Sequence, residues 1–423
     1  MKDGILDISA LMKTIGDNAT AALRRLAVAP TDAKNLALTA AANSLRHHQN
    51  DILAENTKDM VAGEAKGLSA AMLDRLVLND SRIESMATGL ENIAGLADPV
   101  GIITDEWTRP NGLLIQRKRV PLGVIGVIYE SRPNVTADAA ALCLKAGNAA
   151  ILRGGSESFH SSRAIMACLK EGMLAADLPE HAVQLIPTTD RAAVGEMLQM
   201  SDVIDVIVPR GGKSLIERVT ADSKVPLFKH LEGICHSYIH RHADPEMAKE
   251  IVVNAKMRRT GICGSTETVL VDRDIVALVL PSILDALIGA GCEIRGDDDV
   301  RALDSRVKVA TDADWQTEYL DSIISIKVVD GVQQAIDHIE RYGSNHTDAI
   351  ITRDAEAAES FLNGVDSAIV MLNTSTQFAD GAEFGMGAEI GISTGKLHAR
   401  GPVSVEQLTS CKYVVRGAGQ CRP

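Results

Sequence analysis

Short apolar segments alternate with longer helical segments over most of the chain, and this alternation limits the folds it can adopt. Residues 124–128 read Val-Ile-Gly-Val-Ile, which is typical of a strand that is covered on both faces. The alanine-rich stretch 137–145 predicts a helix that ends at Gly147, and residues 149–152 predict the next strand. Such β-α-β alternation predicts a parallel, doubly wound sheet with helices on both faces.

The alternation continues to residue 208, and a second series begins after residue 235. Helices are predicted at residues 161–176, 275–290 and 332–342. Further strands are predicted at residues 183–186, 205–208, 268–271, 325–329, 349–351, 368–371 and 412–415. Two α/β domains in series are therefore expected.

The first hundred residues read as helices. Thr31 is a candidate N-cap, and residues 81–84 (Ser-Arg-Ile-Glu) fit a capping box. A buried helical face is then predicted from apolar residues at three- and four-residue steps: Ile83, Met86, Leu90 and Ile93. Residues 107–120 contain the turn signal Pro110-Asn111-Gly112 and predict a hairpin.

Composition excludes several classes of protein. The formal net charge is −13, and the densest basic group, residues 117–119, is only three residues long, so no nucleic-acid partner is expected. The seven cysteines are widely spaced and form no C-x-x-C, which favours reduced thiols in a cytoplasm and predicts no zinc site. The acidic residues 297–299 are interpreted as a solvated loop, and no metal is expected.

No membrane attachment is expected either. Residues 1–5 lack a charged segment followed by an apolar run, so no signal peptide is predicted. No stretch approaches the ~18 uninterrupted apolar residues of a membrane-spanning helix.

A glycine pair follows one predicted strand. The chain has no G-x-G-x-x-G, and residues 210–214 (Arg-Gly-Gly-Lys-Ser) fail the Walker pattern because Ile207 stands where its first glycine belongs. A strand followed by two glycines that open a helix can still present N–H groups to a pyrophosphate, or it can be a plain turn.

The most distinctive local feature is a cysteine between small residues. Residues 258–265 read Arg-Arg-Thr-Gly-Ile-Cys-Gly-Ser, and Cys263 stands just before a predicted strand. Glycines let a substrate approach closely, and nearby arginines favour the reactive thiolate. Cys143 and Cys168 lie in apolar helices and read as core residues, whereas Cys263 reads as a nucleophile.

At this point the chain resembles the γ-glutamyl phosphate reductase family (glutamate-5-semialdehyde dehydrogenases), a branch of the aldehyde dehydrogenase superfamily. The similarity is strongest at residues 329–350, with Tyr-Gly-Ser-Asn-His-Thr-Asp-Ala-Ile at 342–350. Further matching blocks are residues 130–136, 208–212 and 384–391. The resemblance implies an α/β, aldehyde dehydrogenase-like fold and an enzyme that reduces γ-glutamyl phosphate, the second step of proline biosynthesis from glutamate.

The resemblance also implies catalytic roles. Cys263 matches the catalytic nucleophile, and Asn134 is the candidate side-chain donor to the oxyanion. Aligned without gaps from residue 121, Arg132 takes the place of the superfamily's asparagine and Asn134 follows two residues later. Arg132 is a candidate contact for the leaving phosphate or the substrate carboxylate.

Cofactor residues follow by the same resemblance. Arg153 falls where the superfamily has a lysine at the cofactor ribose, and Ser156 falls where NAD-preferring members often have a glutamate. An arginine without that carboxylate suits a 2′-phosphate, so NADPH is expected. Gly211 and Gly212 resemble the pyrophosphate turn, and Glu318 resembles the carboxylate that holds the nicotinamide ribose.

One departure from the superfamily concerns its glutamate base. Residues 230–233 read His-Leu-Glu-Gly, so His230 takes the place of the glutamate that activates water in oxidative members. Reduction of an acyl phosphate needs no such base, although Glu232 could still supply one. The alternatives are an oxidative aldehyde dehydrogenase and an inactive relative that serves as a binding subunit.

The remaining implied residues surround the site. His346 is assigned either a substrate contact or a structural role in its loop, with the structural role favoured. Asn373 and Phe384 are candidate substrate-binding residues at the mouth of the active site.

The resemblance also implies the domain organisation. The NADPH-binding domain is expected at residues 1–104 and 121–234, with 380–401 packing back near it, and the catalytic domain at 235–379. Residues 105–120 and 402–423 resemble oligomerisation elements, so a cytoplasmic homo-oligomer is expected. A transient contact with glutamate 5-kinase is also expected.

Overall fold

The computed structural model describes residues 7–422, so the expectation of no signal peptide, which concerns residues 1–5, lies outside the described part of the chain. The chain divides into two compact units. The first unit comprises Met1–Lys229, Gly385–Gly391 and Val403–Pro423, and the second comprises His230–Phe384 and Ile392–Pro402. The first stretch of chain therefore ends five residues before the expected boundary at 234, and only the middle of the expected 380–401 segment belongs with it.

Five helices open the first unit, as the sequence predicts. They are α1 (Ile8–Leu26), α2 (Thr31–His47), α3 (Gln49–Ala65), α4 (Ala70–Leu76) and α5 (Asp80–Gly95). The predicted apolar face of α5 is buried at all four positions.

Both predicted helix caps are wrong. The N-cap of α5 is Asn79, whose side chain accepts from the N–H of Arg82, so residues 81–84 lie inside the helix. Pro30 occupies the N-cap of α2, and the Thr31 hydroxyl donates to Asp98 instead. In both cases a residue one or two positions upstream has extended backbone and takes the N-cap position.

Two hairpin strands and then a parallel sheet with its helices follow in the first unit. The hairpin strands are β1 (Ile103–Thr108) and β2 (Leu114–Pro121). The elements of the parallel sheet and its helices are β3 (Val124–Tyr129), α6 (Val135–Lys145), β4 (Ala149–Gly154), α7 (Phe159–Ala175), β5 (Val183–Leu185), α8 (Ala192–Gln199), β6 (Val206–Arg210) and α9 (Lys213–Asp222). The sheet order is β5-β4-β3-β6, and every neighbouring pair is parallel. The strand order reverses between β3 and β6, and open α/β sheets bind ligands at such a reversal.

The second unit is built on a seven-stranded sheet. Its elements are β7 (Cys235–Ile239), α10 (Pro245–Met257), β8 (Thr266–Asp272), α11 (Val276–Gly289), β9 (Glu293–Gly296), α12 (Asp298–Leu303), β10 (Lys308–Val309), β11 (Ile323–Val329), α13 (Gly331–Tyr342), β12 (Thr347–Ile351), α14 (Ala355–Gly364) and β13 (Ile369–Leu372). The order is β10-β9-β11-β8-β7-β12-β13, and all neighbours are parallel. The doubly wound α/β fold is therefore confirmed.

The sequence-based assignment named no strand at β7, β9 or β10. The strand β7 reads Cys-His-Ser-Tyr-Ile. All five residues are buried, although the polar residues in this pattern do not indicate burial. The strands β9 and β10 have four and two residues, too few to show a period. Aliphatic residues of β8, β11, α10 and α11 form the core of this unit.

Three strands complete the chain: β14 (Gly391–Ser393), β15 (Gly401–Val403) and β16 (Thr409–Arg416). The strand β16 pairs antiparallel with β2, and β2 pairs antiparallel with β1, which confirms the hairpin and adds a third strand to it. No helix within residues 7–422 has the length and hydropathy needed to cross a membrane.

Candidate active site

Cys263 lies in a tight turn between α10 and β8 in the second unit. The N–H of Ser265 donates to the carbonyl of Ile262 at 3.0 Å and closes the turn around the cysteine. Ser265 is buried, whereas Cys263 is only partly covered. Cys143, Cys168, Cys235 and Cys292 are buried, and Cys411 and Cys421 are exposed. A half-covered thiol in a glycine-flanked turn can meet a substrate and still be held in place.

The loop of residues 230–234 packs directly against Cys263. A Cβ atom at Gly233 would stand 2.1 Å from the Cys263 carbonyl oxygen, so only glycine fits there. The thiol of Cys235 donates to the same carbonyl at 3.1 Å. The N–H of Gly233 donates to Oε1 of Glu318 at 2.9 Å, which brings the predicted ribose carboxylate to the loop that contacts Cys263.

The segment 342–350, which carries the strongest similarity in the sequence, folds against the same loop. The Ser344 hydroxyl accepts from the N–H of Ile234 at 2.9 Å. Asp348 accepts from both the N–H and the Nδ1 of His236, at 2.9 and 2.8 Å. These contacts join two distant parts of the chain and hold the loop beside Cys263.

Two histidines stand beside the thiol. The rings of His230 and His346 lie 5.2 Å apart in an edge-to-face arrangement. One ligand atom from each ring and the Sγ of Cys263 all lie within 4.8 Å of one another. The sequence singled out both histidines, but it offered no signal that they meet, because 116 residues separate them (346 − 230).

The tautomer of His230 follows from its partner. Its Nδ1 lies 2.9 Å from the carbonyl oxygen of Ile392, and a carbonyl can only accept a hydrogen bond. In the neutral ring, Nδ1 therefore carries the proton and Nε2 the lone pair. His346 is fully buried and its Nδ1 lies 2.9 Å from the hydroxyl of Thr347.

A buried ion pair joins α10 to β8, the two elements on either side of the turn. Lys256 and Glu267 are both fully buried and their charged atoms lie 2.6 Å apart. Burial raises the pKa of Glu267 to about 7, while Lys256 opposes this shift. Of the two arginines predicted to favour the thiolate, Arg258 is engaged elsewhere, because its Nε donates to Gln377 at 2.8 Å.

Three groups of predicted cofactor and substrate residues meet at one edge of the sheet in the first unit. Residues 153–156 span the end of β4, residues 130–134 follow β3, and residues 210–212 start at the last residue of β6. These three strands are neighbours and parallel, so their carboxyl ends share an edge. This edge is where a doubly wound sheet binds a nucleotide.

Arg153 is almost buried at this edge, with 7% of its surface exposed. One terminal nitrogen donates to the carbonyl of Thr189 at 3.0 Å and the other donates to the carbonyl of Gly154. Its Nε is buried and has no hydrogen-bond partner among residues 7–422. Burial lowers the pKa of the guanidinium. Ser156 is exposed at the start of a short 3-10 turn, Ser156–Ser158.

The glycine pair opens α9, and a carboxylate already occupies that helix end. The N–H of Gly212 donates to Oε2 of Glu130 at 3.1 Å. A Cβ atom at Gly211 would stand 2.5 Å from the same oxygen. The carboxylate of Glu130 therefore takes the position that an anionic group prefers at a helix N-terminus.

Asn134 begins α6, and its amide donates to Oδ2 of Asp138 at 2.9 Å. Burial raises the pKa of Asp138 to about 6, and the hydrogen bond from Asn134 opposes this shift. Arg132 is partly exposed two residues upstream. The roles of Asn134 and Arg132 toward a substrate stay predictions.

Asn373 and Phe384 are not brought to Cys263 by any contact within the second unit. The Asn373 amide bridges the N–H and carbonyl of Thr352, both at 2.8 Å, which places it at the carboxyl edge of the sheet. Cys263 precedes β8 and so lies at the amino edge. Phe384 is 45% exposed. This geometry favours a structural role for Asn373, and its substrate contact stays a prediction.

Known proteins resemble this chain over nearly its whole length. The aldehyde dehydrogenase family matches residues 9–297. A gamma-glutamyl phosphate reductase from Rhodospirillum rubrum is 67% identical over 417 residues, covering 99% of this chain and 98% of that protein. The gamma-glutamyl phosphate reductase from Mesorhizobium japonicum is 62% identical over 418 residues, covering 99% and 98%.

Solved structures give the same result. The crystal structure of gamma-glutamyl phosphate reductase from Thermotoga maritima has a TM-score of 0.96 and 41% identity, covering 97% of this chain and all of that one (100%). An acetylating aldehyde dehydrogenase from Geobacillus thermoglucosidasius has a TM-score of 0.69 at 16% identity and covers 100% of both chains. The second similarity concerns the fold alone.

Proposed function

The chain belongs to the gamma-glutamyl phosphate reductase family, a branch of the aldehyde dehydrogenases, and we propose that it reduces γ-glutamyl phosphate to glutamate 5-semialdehyde with NADPH. The observation that carries this proposal is the turn at Cys263, held by Gly233, Cys235 and the segment 342–350. The product belongs to proline biosynthesis from glutamate.

Cys263 acts as the nucleophile. Its thiolate attacks the acyl carbon, the bond from that carbon to the phosphate oxygen breaks, and phosphate leaves with the electron pair to give a thioester. Asn134 and the backbone N–H of Cys263 are the proposed donors to the oxyanion, and each such donor contributes about 3 kcal/mol to transition-state stabilisation. Bound NADPH supplies the hydride that reduces the thioester. Collapse of the thiohemiacetal then breaks the C–S bond, releases the aldehyde and restores the thiolate.

The surroundings of Cys263 disfavour the oxidative alternative. Oxidative aldehyde dehydrogenases need a carboxylate base that activates water against the thioester. Here that place is taken by His230, so the carboxylate is missing from this position. Phosphate rather than water is therefore the proposed partner of the acyl group.

The residues at the sheet edge of the first unit fit NADPH. Arg153 has a buried Nε without a partner among the described residues, and a 2′-phosphate would meet its charge. The exposed Ser156 brings no carboxylate that would repel that phosphate. Gly211 and Gly212 open a ten-residue helix whose N–H groups can face a pyrophosphate once Glu130 withdraws.

The deciding experiment is the reverse reaction. Purified protein receives NADP⁺ and the glutamate semialdehyde–pyrroline carboxylate mixture, and NADPH formation is followed with and without inorganic phosphate. Strict dependence on phosphate supports acyl-phosphate chemistry. Equal rates without phosphate would mean that water resolves the thioester, and the oxidative alternative would replace this proposal.

Two controls complete the assay. NAD⁺ in place of NADP⁺ tests the cofactor, and a clearly lower rate with NAD⁺ is expected. Cys263→Ser should abolish the reaction, whereas Cys292→Ser, at a buried cysteine of the same unit, should retain it. A homo-oligomer in the cytoplasm and a transient contact with glutamate 5-kinase stay predictions.

A further inference from the structure

We infer that Cys263, His230 and His346 form a site for a zinc-like divalent cation that masks the nucleophile reversibly. The three residues come from three separate segments: the start of the second unit, the turn before β8 and the loop before β12. Their ligand atoms all lie within 4.8 Å of one another. This site goes beyond the proposed function, because metal binding needs neither substrate nor cofactor.

The spacing suits one small cation. Zinc binds sulfur at about 2.3 Å and imidazole nitrogen at about 2.0 Å, so tetrahedral ligands stand roughly 3.5 Å apart. The ligand atoms lie up to 4.8 Å apart in the structure. Rotation of the His230 and Cys263 side chains, which are only partly covered, brings these atoms to the shorter spacing. His346 is buried and supplies the fixed corner of the site.

The hydrogen bond behind His230 supports this assignment independently. Metal-binding histidines almost always donate their other ring N–H to a carbonyl or carboxylate, which fixes the tautomer and the direction of the lone pair. His230 has this arrangement, since Nδ1 donates to the Ile392 carbonyl at 2.9 Å and Nε2 keeps the lone pair.

The donor set selects the class of metal. One thiolate and two neutral imidazoles are soft to intermediate ligands that bind Zn²⁺, whereas Mg²⁺ and Ca²⁺ require oxygen ligands. Binding displaces the proton of the Cys263 thiol to solvent and leaves a net charge of one positive unit (two from zinc, one negative from sulfur). The sulfur lone pair that attacks the substrate is then used by the metal, so a protein with bound zinc is inactive.

The test measures access to the thiol rather than turnover, so it does not depend on the proposed function. The full-length protein is alkylated with iodoacetamide in the presence of zinc, magnesium or EDTA, and labelling of the Cys263 peptide is followed by mass spectrometry. We expect zinc to slow labelling at least tenfold, EDTA to restore it and magnesium to have no effect. Equal labelling rates with and without zinc would overturn the inference.

Variants identify the ligands. His230→Ala should raise the zinc concentration that half-protects Cys263 by at least tenfold, as the ratio of labelling rates with and without zinc within each variant shows. His346→Asn is the second variant, and circular dichroism checks that this buried substitution leaves the protein folded. Protection that survives in folded forms of both variants would overturn the inference.

A second group in the same unit provides the matched control. Ligand atoms of His240, His242 and Asp354 also lie within 4.8 Å of one another, and these residues follow β7 and β12 at the opposite, carboxyl edge of the sheet. His242→Ala removes a donor there and should leave the zinc protection of Cys263 unchanged. Loss of protection in His242→Ala would show that the metal binds at His242 rather than at Cys263, and this would overturn the inference.

Discussion

Gly233 touches the backbone of Cys263: a Cβ atom at Gly233 would stand 2.1 Å from the Cys263 carbonyl oxygen and 2.7 Å from its Cα. The N–H of Gly233 is held by Glu318, and the thiol of Cys235 donates to the same carbonyl. The position of the nucleophile therefore depends on the absence of a side chain at residue 233.

Gly233→Ala should lower turnover about 100-fold, because a displacement of about 1 Å at a reacting group has an effect of this size. The rate of the phosphate-dependent reverse reaction measures this. Gly289→Ala is the control, since a Cβ atom there meets nothing within 4 Å. Wild-type turnover in Gly233→Ala would show that the turn tolerates the displacement.

Glu130→Gln should tighten NADPH binding about two- to fivefold, because the carboxylate of Glu130 occupies the N-terminus of α9 and an anion there is stabilised by about 0.3–1 kcal/mol. The neutral amide competes less with a pyrophosphate. Fluorescence titration of NADPH measures the change in Kd. Glu217→Gln, on the exposed side of the same helix, should leave Kd unchanged, and weaker binding in Glu130→Gln would contradict the competition.

Lys256→Met should lower the free energy of unfolding by about 3–5 kcal/mol, because it leaves Glu267 buried without its cation. Adding Glu267→Leu should recover much of this loss, since two apolar residues avoid the desolvation of two charges. Urea denaturation measures both. Lys249→Met removes a surface pair with Glu246 and should cost less than about 1 kcal/mol. Equal losses in the single and double variants would contradict the account.

Asp138→Asn should stabilise the protein more at pH 8 than at pH 5, where only part of the pH-dependent loss has occurred. Burial raises the pKa of Asp138 to about 6, above the usual value near 3.8, so the folded state binds the proton more tightly than the unfolded chain. The stability contributed by this group therefore falls as pH rises from about 4 to about 6 and then stays low. The variant removes this dependence, with a gain on the order of 1 kcal/mol above pH 6.

Thermal unfolding at the two pH values measures this difference between wild type and variant. Asp337→Asn, at an exposed aspartate on α13, should show no such pH-dependent gain. A gain of equal size at pH 5 and pH 8 would contradict the shifted pKa as its cause.

A homo-oligomer should form through the sheet of β1, β2 and β16. The rings of Trp107 and Tyr413 pack edge to face at 6.2 Å on this sheet, and Tyr413 and Val415 are 65% and 55% exposed. Exposed apolar residues on an extended sheet edge are typical of subunit contacts. Light scattering should show a dimer or larger species, and Tyr413→Glu should shift it toward monomer.

The control for that substitution is Leu278→Glu, at an exposed leucine of α11 in the second unit. It should leave the mass unchanged. A wild-type protein that is only monomeric at micromolar concentration would contradict the oligomer.

The sequence predicted the repeating strands and helices well because each depends on local periodicity and burial. The strand at residues 124–128 was identified because every residue is apolar, and β3 is buried throughout. The strand β7 was missed because its His-Ser-Tyr residues are typical of a solvent-exposed segment. In the fold, Nδ1 of His236 and the hydroxyls of Ser237 and Tyr238 instead bond Asp348, Thr266 and Asp272 from other segments. Hydrogen bonds of this kind are invisible in a local pattern.

The candidate site divides in the same way. The glycines around Cys263, the segment 342–350 and the position of His230 can all be read from the linear order of residues. That His230 and His346 meet at the thiol, and that Glu130 occupies the helix end at Gly212, follows from the order of strands in each sheet. Residue types and their spacing thus specify the elements and the chemical groups. The pairing of groups more than about a hundred residues apart, or on neighbouring strand ends, depends on packing free energy summed over the whole unit.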